Sequence, residues 1–158
     1  MAIPKLLGVL LLLGAGAYAA RSISRYERQR IKVLNGWLDL IYHIQTQINC
    51  YLTPIEQIFL ELPPTLLRGW AGMERVKNPT TLLNSTQIYM DDESKRLLEG
   101  FIREIGSGYR EEQIKRCDYY LTALQGIRDR QQAQLPARLR ARSALCLCGS
   151  FGLAILLW

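Results

Sequence analysis

Two uncharged apolar runs, one near each end of the chain, restrict its folding more than any other feature. Residues 6–20 read LLGVLLLLGAGAYAA and residues 143–158 read SALCLCGSFGLAILLW, and neither holds an Asp, Glu, Lys or Arg. A helix that is apolar on every face belongs in a protein core or in lipid. At 15 and 16 residues the runs fall slightly below the roughly 17–25 of a spanning helix. The first lengthens if Lys5 snorkels toward headgroups, and Trp158 suits a membrane–water interface.

Basic residues border both runs on their inner sides. Arg21, Arg25, Arg28, Arg30 and Lys32 follow the first, with Glu27 opposing. Arg128, Arg130, Arg138, Arg140 and Arg142 precede the second, with Asp129 opposing. The chain carries +6 overall from 20 basic and 14 acidic residues, yet without these clusters its balance is −2. Basic flanks prefer the cytoplasmic side. The pattern therefore predicts a transmembrane segment at 1–20, a cytoplasmic helical domain at 21–142 and a second transmembrane segment at 143–158. Arg21, Arg25, Arg28, Arg138, Arg140 and Arg142 are the candidate membrane-contact residues, favouring anionic lipid. The high pI needs no nucleic acid, and the tyrosines show no basic groove of the kind that stacks bases.

Two other readings fit the same runs. Lys5, the apolar stretch and Ala15, Ala17 and Ala19 also resemble a cleaved signal peptide, although the positive charges after them oppose export. The second run is also short enough for a buried core helix.

The middle of the chain reads as all-α. Over residues 24–52, Leu34, Trp37, Leu38, Ile41, Ile48 and Leu52 recur at helical spacing, with Val33, Leu40, Ile44 and Tyr51 on an adjacent face. No Lys or Arg occurs between residues 33 and 67, as befits a central helix. Thr53-Pro54-Ile55-Glu56 is a restart signal: Thr53 as cap, Pro54 at the first helical position, Glu56 completing a capping box. Further pieces are expected at residues 65–76, with Leu66, Leu67, Trp70 and Met73 buried, and at 80–89. A helix capped by Asp91 or Asp92 then runs to about Ile105, and a last one extends from Tyr109 to about Leu135. Gly106-Ser107-Gly108 is the sharpest turn: Gly106 suits a left-handed helix end and Ser107 can cap the next helix. Pro136 marks a joint into the basic neck. No alternating strand pattern appears. The result is an antiparallel bundle of about six helices.

Chemistry is sparse. One His and four scattered Cys do not make a zinc site or a nucleophile–His–acid centre. Cys50 and Cys117 read as packed small hydrophobes, and Cys146 and Cys148 point too far apart on a helix to chelate together. His43 reads as a core or groove histidine, and Asp91, Asp92 and Glu93 as caps. No glycine-rich phosphate loop exists. No enzymatic activity, metal or cofactor is expected. The turns at Thr53, Pro54 and Glu56 and at Gly106, Ser107 and Gly108, at the pole away from the basic necks, are the candidate partner-binding residues.

The order of these segments resembles the stage III sporulation protein AB (SpoIIIAB) family. KLLGVLLLLGAGAYA with its Arg-rich neck is similar to the start of that family, and YLTPIEQIF to its Tyr-x-x-Thr-Pro segment. FIREIGSGYREEQIKRCDYYL is similar to its Leu-Gly-x-Ser-Asp-type turn and the helix after it, departing at Gly108-Tyr109. The short C-terminal run matches too. The resemblance implies a six-helix bundle similar to the cytoplasmic domain of general secretion pathway protein F. It also implies an integral place in the mother-cell membrane, with the bundle facing the cytoplasm. There the protein would serve a channel feeding the engulfed forespore, with a secretion-type ATPase and other sporulation channel subunits as partners, and a homo-oligomer remains open. The alternative is an exported basic helical protein with a cleaved signal and a C-terminal anchor.

Overall fold

The structure, a computed structural model, describes residues 2–72, 76 and 78–156. Six α-helices make up most of it: α1 (Ala2–Thr46), α2 (Ile55–Leu60), α3 (Pro64–Arg68), α4 (Pro79–Thr86), α5 (Asp92–Glu104) and α6 (Arg110–Leu156). A π-helical turn, Gln47–Tyr51, ends α1, and a 3-10 turn, Gln87–Tyr89, comes after α4. The described residues contain no strand. The chain divides into two compact units, Gln29–Gln131 and Met1–Arg28 with Gln132–Trp158. The two long helices supply residues to both.

The larger unit is built on the apolar face of α1. Val33, Leu34, Trp37, Leu40, Ile41 and Ile44 are sealed from solvent, as their spacing requires. Leu82 of α4, Leu98 and Phe101 of α5 and Cys117, Tyr120 and Leu124 of α6 complete the same core. Helices α1 and α6 are antiparallel in this unit. Arg128 reaches Asn35, Gln45 donates to Asp118, and Arg110 binds Asn49, so rising numbers on one meet falling numbers on the other.

The tryptophans fix how the short helices lie on α1. Trp37 and Trp70 have ring centroids 5.6 Å apart. The Trp37 indole donates to the Thr86 hydroxyl (3.2 Å), which donates on to the Leu82 carbonyl (2.9 Å). Gly36 is what admits Trp70: a Cβ there would stand 2.1–2.3 Å from the indole, well inside contact distance. No other residue type fits at that position without moving the ring.

Capping agrees with the sequence at α5, and α4 adds a cap that the sequence reading did not name. Asn78 accepts from the Thr80 amide (3.1 Å) ahead of Pro79, and Asp91 accepts from the Ser94 amide (3.4 Å) and hydroxyl. Ser94 is buried, so Asp91 satisfies a hydroxyl that would otherwise lack a partner. Burial alone would raise the Asp91 pKa, but the Ser94 hydrogen bonds and the nearby Arg30 hold it below the usual value.

Local expectations differ from the structure at five places. The piece at residues 65–76 is shorter: α3 ends at Arg68, and Met73 lies outside the described residues. Gly69 closes it, and glycine costs about 1 kcal/mol in a helix interior. Pro136 is no joint, because α6 runs through it. The carbonyl four residues earlier, which loses its amide partner, belongs to the exposed Gln132 and is open to water. Tyr51 and Leu52, placed by spacing on the buried stripes, are exposed, as is Cys50. The π turn advances fewer degrees per residue than the 100° of an α-helix, so the stripe loses phase after Ile48, the last buried residue of the turn. Thr53 does not cap α2: Pro54 stands at the N-cap, no side chain caps the helix, and the Thr53 hydroxyl reaches Gln47 (3.4 Å). Ser107 does not cap α6 either; its hydroxyl donates to the Glu104 carbonyl (2.8 Å).

Candidate functional site

The turn that leaves α1 and the turn that enters α6 form one surface. Thr53, Pro54, Ile55 and Glu56 line a depression of 260 Å³ together with Gly106, Arg110 and Gln113. A second depression, of 360 Å³, continues from the shared Ile55 and Glu56 to Phe59, Leu60, Pro79, Ile102 and Ile105. The candidate residues Thr53, Pro54, Glu56 and Gly106 therefore meet, although α3, α4 and α5 lie between them in sequence. Ser107 and Gly108 come directly after Gly106 but line neither depression.

Backbone geometry sets the shape of this surface. Gly106 has φ +88°, and a Cβ there would approach the Ile55 side chain to 2.8 Å. Glycine thus both ends α5 in the left-handed region and lets α2 approach. Arg116 holds the turn from below, donating to the Glu104 carbonyl (2.9 Å) and to the Ser107 carbonyl (2.6 Å) and hydroxyl (2.9 Å). Arg110 is committed to the Asn49 side chain (2.9 Å) and carbonyl. Glu56 is exposed and has no ion-pair or hydrogen-bond partner among the described residues.

Leu52 stands out within this surface. It is the one described non-glycine residue with positive φ (55°), and it is 69% exposed. A left-handed conformation costs a non-glycine residue about 1–2 kcal/mol, and exposure of the side chain returns nothing to the core. Leu60, 70% exposed, and Tyr109, 83% exposed, add apolar surface nearby in sequence to the two depressions. Spacing alone assigned Leu52 to the core. A helix-breaking Thr-Pro immediately after it was the available warning that periodicity stops there.

The basic residues sort into two kinds. Arg128 and Arg130 serve the larger unit, through Asn35 (3.3 Å) and Glu93 (2.7 Å). In the other unit Arg21, Arg25, Arg28 and Arg140 are exposed and Arg138 is half-buried beside Gln134. Arg142 pairs with Glu27, which is only 4% exposed. Glu27 thus joins the neck segments of α1 and α6, and the arginines of both segments belong to one unit.

Side chains with chemical potential are quiet. Burial pushes the Cys117 thiol up to about 11, with the neighbouring Asp118 adding to the shift. Burial and the Glu104 carboxylate push Tyr120 up to about 12. Burial also lowers the half-buried His43 below its ordinary value. Among the described residues no group of three His, Cys, Asp or Glu is placed to hold a metal ion. Among them too, no helix is long and apolar enough to cross a membrane.

Comparison with known proteins bears on the first part of the chain. Residues 5–70 match the family model of stage III sporulation protein AB. The match takes in the first apolar run, the first basic cluster, Gly36, the Thr53-Pro54 restart and Trp70, and it covers less than half of the chain. It agrees with the resemblance read from KLLGVLLLLGAGAYA and YLTPIEQIF. No curated protein and no solved structure matches the chain.

Proposed function

We propose that this protein is a non-enzymatic platform component of a channel between mother cell and forespore, tethered to the mother-cell membrane and coupled to a secretion-type ATPase. The observation that carries the reading is the family match over residues 5–70, which gives the chain a role in sporulation. The helical bundle and its paired turns suit a scaffold, whose work is to hold partners rather than to transform a substrate.

In this reading the apolar runs at 6–20 and 143–158 enter the membrane, thinning it locally or tilting little because they are short. Arg21, Arg25, Arg28, Arg138 and Arg140 contact lipid phosphates, while Arg142 shares its charge with Glu27. The surface at Thr53, Pro54, Glu56 and Gly106 docks the ATPase or another channel subunit. Likeness to the cytoplasmic domain of general secretion pathway protein F belongs to the same proposal.

The test is genetic and physical together. A variant carrying Glu56→Lys, Thr53→Lys and Ser107→Lys is expected to fold and to fractionate with membranes while failing to support spore formation. Normal spore yield from such a folded variant would overturn the docking role. Mass determination of the purified protein addresses the membrane part: an intact N-terminus supports the tether, and a start after Ala17 or Ala19 supports export with a cleaved signal.

A further inference from the structure

We infer that one face of the α1 neck, formed by Arg21, Arg25 and Arg28, is a recognition site for anionic phospholipid headgroups, and that Glu27 on the far side of the helix withdraws Arg142 from it. The inference rests on the membrane part of the platform reading. It deepens that reading by naming the lipid class and by separating the arginines that select it from one that does not.

Charge calls for an anion. Residues 1–28 and 132–158 form one compact unit, and Glu27 is the only Asp or Glu in its sequence. Glu27 is buried and bonded to Arg142, so no side chain of the unit shows a carboxylate to solvent. Arg21, Arg25 and Arg28 are exposed, and their guanidinium groups have no ion-pair or hydrogen-bond partner among the described residues. Free guanidinium forks attract anions, and phosphate oxygens match their geometry.

The order of side chains along the helix separates a bilayer from other polyanions. Leu11, Tyr18, Arg21, Arg25 and Arg28 follow at steps of seven, three, four and three, which places them on one face of α1. Leu11 and Tyr18 are exposed, so this face passes from aliphatic to aromatic to cationic. Hydrocarbon, interface and phosphate follow in that order across one leaflet. Helix α6 repeats the order from its own side, with Arg140 exposed and then Leu145 exposed within an uncharged run. A nucleic acid or an acidic protein segment would meet the arginines and leave Leu11, Tyr18 and Leu145 in water.

Glu27 sorts the arginines. At 100° per residue it stands about 150° from the middle of the cationic face, and its contact with Arg142 cancels most of the attraction of that arginine for a lipid phosphate.

The experiment reconstitutes the full chain in phosphatidylcholine vesicles carrying a trace of spin-labelled lipid, either phosphatidylglycerol or phosphatidylcholine. Electron paramagnetic resonance reads the fraction of each label that the protein restrains. Phosphatidylglycerol should be preferred about fivefold at low salt, and the two should approach equality at about 1 M salt. Arg21→Gln, Arg25→Gln and Arg28→Gln together should abolish the preference with an unchanged melting temperature. Arg130→Gln, in the larger unit, should leave it as it was. Glu27→Gln keeps an acceptor for Arg142 and removes the opposing charge, so it should raise the preference about twofold. Equal restraint of the two lipids, a preference that survives the triple change, or no rise in Glu27→Gln would overturn the inference. So would a short RNA that displaces the labelled phosphatidylglycerol at matched phosphate concentration.

Failure of the tether has a different signature. A chain that alkaline carbonate strips from the vesicles, yet that restrains phosphatidylglycerol selectively, sinks the tether and sustains the headgroup site. A chain that resists carbonate and restrains both lipids equally does the reverse.

Discussion

The basic neck and the turn surface expose different kinds of side chain. In the neck the exposed groups are arginines, and the one acid among those of the first cluster, Glu27, is buried against Arg142. At the turns Arg110 and Arg116 are held in place by Asn49 and Ser107, and the exposed groups include Leu52, Leu60, Tyr109, Arg110 and the carboxylate of Glu56. Long cations left free suit a phosphate surface, where each contributes about 1 kcal/mol. Apolar groups with charges of both signs suit a protein segment. The difference separates two interactions that net charge alone would merge.

The strongest way to break this comparison is to remove the unit that carries the turns. Gly36→Ala puts a methyl group into the Trp70 ring, and it is expected to cost about 3 kcal/mol in urea unfolding because the ring has to leave its site against Trp37. If the neck is independent of the turn surface, its liposome binding survives this change while docking at the turn surface is lost.

Alkali separates the regions without mutation. Cys117 and Tyr120 have folded pKa values of about 11 and about 12, raised from 9.0 and 10.0. Both groups favour the protonated folded state, so their contribution is complete below pH 9 and is lost as pH rises toward 11 and 12. For Cys117 the full loss is of the order of 2–3 kcal/mol. Arginine stays charged throughout that range. Thiol labelling at about pH 8 should reach the exposed Cys50 and spare Cys117.

Arg142→Ala leaves the Glu27 carboxylate without its cation. For a fully buried pair the loss would be about 3–5 kcal/mol; Arg142 is about half exposed, so the expected loss is about 1–2 kcal/mol by thermal unfolding in detergent. Replacing both partners with leucine should cost less than the single change. Thr86→Val, which strands the Trp37 indole, should cost about 1–2 kcal/mol without touching either the neck or the turn surface. The smallest effect is Leu52→Gly. Relief of the left-handed strain and the added freedom of the unfolded chain nearly cancel, giving a change within about 0.5 kcal/mol. A large destabilisation there would mean that Leu52 serves the fold and not the surface.

The helical class, the central position of residues 33–48, the cap at Asp91 and the left-handed Gly106 were all legible, because each rests on local periodicity or turn chemistry. The failures cluster where α1 stops. Tyr51, Leu52 and Cys50 obeyed the stripe on paper, and the π turn rotated them out of it. The Thr53 and Ser107 caps failed for a related reason: each hydroxyl found a nearer partner behind it, Gln47 in one case and Glu104 in the other. The turn residues of the candidate surface could be named from the sequence because turn chemistry marks them. The apolar lining from Phe59, Ile102 and Ile105 could not, because helical spacing marks those residues as ordinary core.

By itself the sequence determined that this chain is helical, that its apolar runs lie at the ends and that its excess charge flanks them, since these depend on residue type and spacing along one dimension. The tertiary structure decided which charges remain free. Glu27 is paired with Arg142 and Arg110 is oriented by Asn49, while Glu56 is exposed where the two depressions meet. Pairing between residues so distant in sequence is set by how α1 and α6 pass each other, and helix packing in three dimensions fixes it where no local pattern does.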